Sequence, residues 1–289
     1  MSSPINERPI VVAGVSTRVL EVDGDGPPIL LLHGFTDSAD SWRPLLQEFA
    51  SRGRRAVAVD LPGSGRADRL ARPALPHHDA FVDGFVRAYA ERGDVVVVGN
   101  SLGGLLALRA AARSEVPLGA VVGIGPAGLA YGWRLRYLTT VLRCLDPMLQ
   151  FVDRAPVPAA LIRRGAARFY ARGLAAGRAE SGLALRYAEH VHGMRDVGRL
   201  RSDLLALSRE SDHDPLRTDR IRLPVLLIWG REDKLADPNS APAFLATVPT
   251  ATLETLDNCG HCPQLEEPGR IADLILSTPC NQPTPKADS

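Results

Sequence analysis

The stretch DVVVVGNSLGGLLALRAAARS, Asp94 to Ser114, contains a complete change of secondary structure. Val95–Val98 are β-branched and apolar at every position, as suits a parallel strand covered on both faces. From Leu102 the chain turns Leu- and Ala-rich at helical spacing. Between the two lies GNSLGG, a G-x-S-x-G pattern spanning Gly99, Ser101 and Gly103. A strand that passes this abruptly into a helix needs small residues where the two backbones approach. The turn then lifts the Ser101 hydroxyl over the helix N-terminus.

The same alternation recurs along the rest of the chain. Ile29–His33, Ala56–Asp60, Ala120–Gly125 and Pro224–Gly230 read as further buried strands. Trp42–Ser51, His78–Glu91, Ala241–Ala246 and Pro268–Ser277 read as helices. Alternating strand and helix argues for an α/β fold, a mostly parallel central sheet flanked by helices. Ile10–Val12 and Thr17–Val22, around Gly14, predict an antiparallel hairpin at the sheet edge.

The alternation breaks after Leu129. From there to Arg220 no strand signal appears, and Ala, Leu and Arg recur at helical spacing. Residues 1–128 are therefore expected to form the first part of the core, 129–220 a helical insertion, and 221–278 the second part. The tail, 279–289, lacks apolar periodicity and reads as disordered.

With 289 residues the chain can bury one large core plus an insertion. A net charge of +1 gives no global field pointing to nucleic acid or an anionic membrane. Four scattered cysteines do not make a disulfide scaffold. MSSPINERPI lacks the basic start and apolar core of a signal peptide, and no apolar run is long enough for a transmembrane segment. The expected location is cytoplasmic. The sequence sets no oligomeric state.

A serine hydroxyl is a weak nucleophile without a base and a means of stabilising the oxyanion. His33-Gly34-Phe35, just after a strand, is placed to help form an oxyanion hole from the backbone N–H groups of Phe35 and Leu102. Downstream, REDKLADP offers Asp233 as the orienting acid, with Asp237 as the second candidate. DNCGHCPQLEEP, Asp257 to Pro268, contains Cys259 and Cys262 as a C-x-x-C around His261. A redox dithiol normally opens a long helix early in its own domain, whereas Pro263 follows here close to the C-terminus. His261 is thus expected to be the general base, and the cysteines packing residues. No further ligands accompany them, so no zinc site is expected. His77-His78 reads as a pair of solvated loop histidines.

HGF, VDLPGSG (Val59–Gly65), GNSLGG, GREDKLAD and GHCPQLEEP stand in the order found in the α/β-hydrolase superfamily, which the chain resembles over roughly residues 10–278. The resemblance implies a Ser101–Asp233–His261 triad, no cofactor, and a cap formed by the helical insertion. The expected activity is hydrolysis of a small to medium ester through an acyl-enzyme. GNSLGG and IGPAGLA (Ile124–Ala130) are also similar to the meta-cleavage C–C hydrolases, an alternative activity. A receptor that retains the triad is a third reading. Tyr131, Trp133, Tyr137 and Phe151 are candidates to line an apolar substrate pocket, or to form the core of the cap.

Overall fold

A computed structural model describes residues 5–90, 94–129, 133–155, 157–173 and 194–280. Its eight strands are β1 (Asn6–Val12), β2 (Val15–Val22), β3 (Asp25–Leu32), β4 (Arg54–Val59), β5 (Val95–Asn100), β6 (Leu118–Ile124), β7 (Val225–Gly230) and β8 (Ala251–Leu256). They form one sheet in the order β1-β2-β4-β3-β5-β6-β7-β8. β2 pairs antiparallel with both β1 and β4, and every pairing from β4 to β8 is parallel. The hairpin expected from the N-terminal sequence is therefore the sheet edge.

The near-continuous apolar runs follow from burial on two faces. Leu30, Leu32, Val95 and Val97 join one core with α2 (Ala74–Tyr89) and α3 (Leu102–Arg113). Ile29, Leu31, Val96 and Val98 point the other way, into a second core with α1 (Arg43–Ser51) and the last helix. Between β6 and β7 the described helices are α4 (Trp133–Val152), α5 (Ala159–Gly173) and α6 (Met194–His213). After β7 come α7 (Ala241–Thr247), α8 (Pro263–Glu266) and α9 (Pro268–Ser277), the last with the bounds read from sequence.

Helix α6 is tied to the core by charged groups. Both carboxylate oxygens of Glu210 accept hydrogen bonds from the first turn of α2, from Ala74 N at 3.0 Å and Leu75 N at 2.6 Å. Asp203 pairs with Arg72 at 2.6 Å, and Arg199 donates to Gly63 O at 2.9 Å. Helix α2 consequently begins at Ala74 rather than at the expected His78. Pro76 in its first turn obscures that start in the sequence, although a first-turn proline lacks only an N–H that has no intrahelical partner.

The histidine pair also differs from expectation. His77 and His78 lie within α2, and His78 is only 2% exposed, with Nδ1 lacking a hydrogen-bond partner. Burial, with smaller contributions from His77, His33 and Arg72, lowers its pKa to about 3. The unfolded chain binds this proton near pH 6.5, whereas the folded chain resists it until about pH 3. Stability from this group is thus present above pH 6.5 and is lost as pH falls through that window. Between pH 7 and pH 5 the expected loss is about 2 kcal/mol. Urea midpoints at the two pH values test this, and His78→Phe should flatten the difference.

Candidate functional site

The parallel strands β3, β5, β6, β7 and β8 all end at the same edge of the sheet, and each hands over to a loop carrying a residue of interest. Strand order reverses around β3: β4 lies on one side and β5 on the other. Such a switch point opens a crevice outside the carboxyl ends of the strands. Gly34 follows β3 there, and Ser101 follows β5.

Ser101 has φ 53° and ψ −112°, a left-handed backbone that a non-glycine residue rarely adopts. The turn is held by Ser101 N donating to Ile124 O at 2.9 Å and Leu105 N donating to Ser101 O at 3.0 Å. Leu102 opens α3, and the first N–H groups of a helix have no intrahelical acceptor. Close packing sets the flanking residues: a Cβ at Gly103 would sit 2.1 Å from Leu32 O. A Cβ at Gly34 would lie 3.4 Å from the Ser101 Cβ, so the loop after β3 runs beside the turn.

His33 does not serve as a free base. Its Nε2 accepts Leu61 N–H at 2.9 Å, so Nδ1 carries the proton and donates to Gly34 O at 2.7 Å. Asp60 is likewise fully buried. Its carboxylate accepts from Ala39 N at 2.7 Å, Arg66 N at 2.8 Å and Arg18 Nε at 2.7 Å. Together they bind the loops after β3 and β4 to each other.

Asp233 and His261 meet with Nδ1 and Oδ2 2.8 Å apart. The second oxygen of Asp233, Oδ1, accepts Leu235 N at 2.8 Å and Ala236 N at 2.9 Å, which fixes the carboxylate. A carboxylate accepts hydrogen bonds only, so Nδ1 of His261 bears the proton and Nε2 is left with its lone pair. Asp237 is exposed and caps its own turn, accepting from Asn239 N at 3.0 Å, which separates the two aspartate candidates. Among the described residues no hydrogen bond yet joins Ser101 to His261, a contact that commonly tightens only with substrate bound.

Three residues support the site, and two of them, Asn100 and Gly125, are not singled out by the sequence patterns. Asn100, immediately before the serine, donates from Nδ2 to His261 O at 2.9 Å and to Ile124 O at 3.1 Å. Gly125, at φ 48°, lies between: a Cβ there would be 2.9 Å from Asp233 Oδ2 and 3.3 Å from His261 Nδ1. Glu266 accepts Gly260 N at 2.9 Å and holds the turn before the histidine. Of the three, only Glu266 is visible in one dimension, through the G-H-x-x-x-x-E spacing from Gly260. Asn100→Ala should cost about 1–3 kcal/mol of stability, because two buried carbonyls lose a donor. Turnover should fall roughly 10–100-fold as the His261 loop shifts. Denaturant melts alongside steady-state rates would check both.

Cys259 and Cys262 are buried and not joined by a disulfide; Cys259 belongs to the core packed on α9. Of the four aromatic candidates, Tyr131 falls outside the described residues and Trp133 begins α4. Tyr137 and Phe151 are 68% and 80% exposed rather than enclosed. A cavity of about 300 Å³ opens between α3, α6 and Gly128–Leu129, with Leu105, Arg109 and Ser211 in its wall; Ser101, Asp233 and His261 do not line it. No helix among the described residues is long and apolar enough to cross a membrane.

A family model described as alpha/beta hydrolase fold matches residues 27–268. The chain is 27% identical over 286 residues to a 2-hydroxy-6-oxo-6-(2'-aminophenyl)hexa-2,4-dienoic acid hydrolase of Metapseudomonas resinovorans, covering 94% of this chain and 90% of the relative. It is 26% identical over 266 residues to monoacylglycerol lipase ABHD6 of Homo sapiens, covering 88% and 75%. A thermophilic esterase from Thermogutta terrifontis shares the fold at TM-score 0.71 and 19% identity, covering 94% of this chain and 97% of the esterase.

Proposed function

Because this chain belongs to the α/β-hydrolase fold family, we propose that it is a serine hydrolase with Ser101 as nucleophile, His261 as general base and Asp233 as orienting acid. The observation that carries this reading is the buried 2.8 Å Asp233–His261 pair at the sheet edge where the strained Ser101 turn also lies. A strained serine at the same sheet edge as a histidine whose tautomer is already fixed has no evident purpose in fold maintenance.

The substrate is a small to medium ester. His261 Nε2 takes the hydroxyl proton as Ser101 Oγ attacks the carbonyl, and Asp233 stabilises the resulting imidazolium. The oxyanion is received by the N–H groups of Phe35 and Leu102, each worth about 3 kcal/mol in sites of this kind. Collapse of the intermediate expels the alcohol, which takes the proton from His261. Water, activated by the same histidine, then hydrolyses the acyl-enzyme. The steps so written use no cofactor.

The insertion, residues 129–220, acts as a cap over this edge, in a cytoplasmic enzyme. The anchoring of α6 through Glu210, Asp203 and Arg199 supports that role. A second reading is hydrolysis of a C–C bond in a vinylogous diketone acid. It is favoured by relatives such as the dienoic acid hydrolase, which match along nearly their whole length.

Two measurements on the purified protein separate these outcomes. A fluorophosphonate should label Ser101, located by peptide mass mapping; labelling elsewhere, or none, would refute the nucleophile assignment. Rates on a p-nitrophenyl ester series, compared with decay of a 2-hydroxy-6-oxo-dienoate chromophore, decide between ester and C–C cleavage.

A further inference from the structure

A whole-chain net charge of only +1 conceals a strongly basic, apolar-faced segment. Residues 133–173, which carry α4 and α5, contain eight arginines against two acids, Asp146 and Asp153. Both acids are already engaged by Arg201 of α6, Asp146 at 2.8 Å and Asp153 at 2.7 Å. Arg143 in turn pairs with Asp212 at 2.9 Å. Arg154, Arg163, Arg164 and Arg168 are exposed, and none forms an ion pair among the described residues.

The apolar side chains of α4 are sorted with equal clarity. Tyr137, Leu145, Met148, Phe151 and Val152 are 68%, 42%, 70%, 80% and 46% exposed. At helical spacing these positions fall within an arc of about 120°. Asp146 and Asp153, which hold α6, lie on the opposite side of the helix. The stripe therefore faces away from the element that anchors α4. Val157 and Leu161, 38% and 61% exposed, add further apolar surface at the start of α5.

We propose that the surface formed by α4 and the start of α5 is a docking surface for an anionic lipid bilayer, seated in the headgroup region without crossing it. The apolar stripe enters the acyl boundary, and the exposed arginines meet lipid phosphates, the pattern of a helix lying in a membrane interface. Charge complementarity selects this occupant. A second copy of the chain would bring the same unpaired arginines together, and the repulsion would oppose pairing through this face. The inference is independent of the reaction at Ser101.

The test is flotation of the intact protein with vesicles of phosphatidylcholine alone and with one-third phosphatidylglycerol. Binding to the anionic vesicles, weakened by salt, is expected. The double variant Met148→Asp/Phe151→Asp should reduce the bound fraction about tenfold, and Arg163→Glu/Arg164→Glu by a similar factor. Unchanged thermal melts would show that both variants fold, as substitution at such exposed positions allows. No preference for anionic vesicles, or undiminished binding by either variant, would overturn the proposal. So would a concentration-dependent dimer in ultracentrifugation that Met148→Asp/Phe151→Asp dissociates, because the stripe would then be an interface between copies.

Discussion

Ser101→Ala should lower kcat by about 10⁴-fold or more on whichever substrate the protein turns over, with little change in KM. Removing Oγ deletes the proposed bond-forming atom but leaves the backbone of the turn, and so the proposed oxyanion donors, in place. The rate that remains measures what positioning and oxyanion binding achieve alone. Asp233→Asn should fall nearly as far, about 10⁴-fold, for a different reason. An amide can present its NH₂ to His261 Nδ1 and force the proton onto Nε2, which removes the base. Single-turnover kinetics with both variants test the assignment. A Ser101→Ala protein that retains wild-type turnover would end the nucleophile reading, whichever bond is cleaved.

The second large effect is on folding. Gly103→Ala would place a Cβ 2.1 Å from Leu32 O, against a backbone atom held within the sheet. Neither the first turn of α3 nor β3 can retreat without loosening the core between them. The expected cost is about 3 kcal/mol or more, or no soluble protein at all. Gly165→Ala makes the same chemical change in α5 where a Cβ meets nothing within 4 Å. There alanine should add roughly 0.5–1 kcal/mol through helix propensity. Opposite signs in parallel urea titrations would show that close approach, rather than glycine as such, decides the outcome.

The sheet was legible in the sequence because its parallel strands are buried on both faces, as Val95–Val98 and Ile29–Leu32 illustrate. Such runs need no partner to be recognised. The start of α2 was not legible, because what completes its first turn is a carboxylate 136 residues away from Ala74 in the chain. The burial of His78 is not legible for a related reason: polar composition near a proline looks like a loop until the helix packs. At the site, Asp233 and His261 could be picked out by their places after strands. Asn100 and Gly125 could not, since their value depends on which loops the sheet brings together. The aromatics of the insertion carry no periodic sign that separates a pocket from a surface, and Tyr137 and Phe151 proved exposed.

The two hydrogen bonds from α2 to Glu210 make the inserted segment and the core a single thermodynamic unit. Recombination that exchanged residues 129–220 for another helical insertion would bare the first amides of α2 unless the donor supplied an acceptor at the same place. Modularity in this chain is therefore limited by groups inside the insertion, Glu210 among them, as well as by the loops at the splice points. A new insertion would have to carry its own replacement for Glu210, or be accompanied by a compensating change at the head of α2.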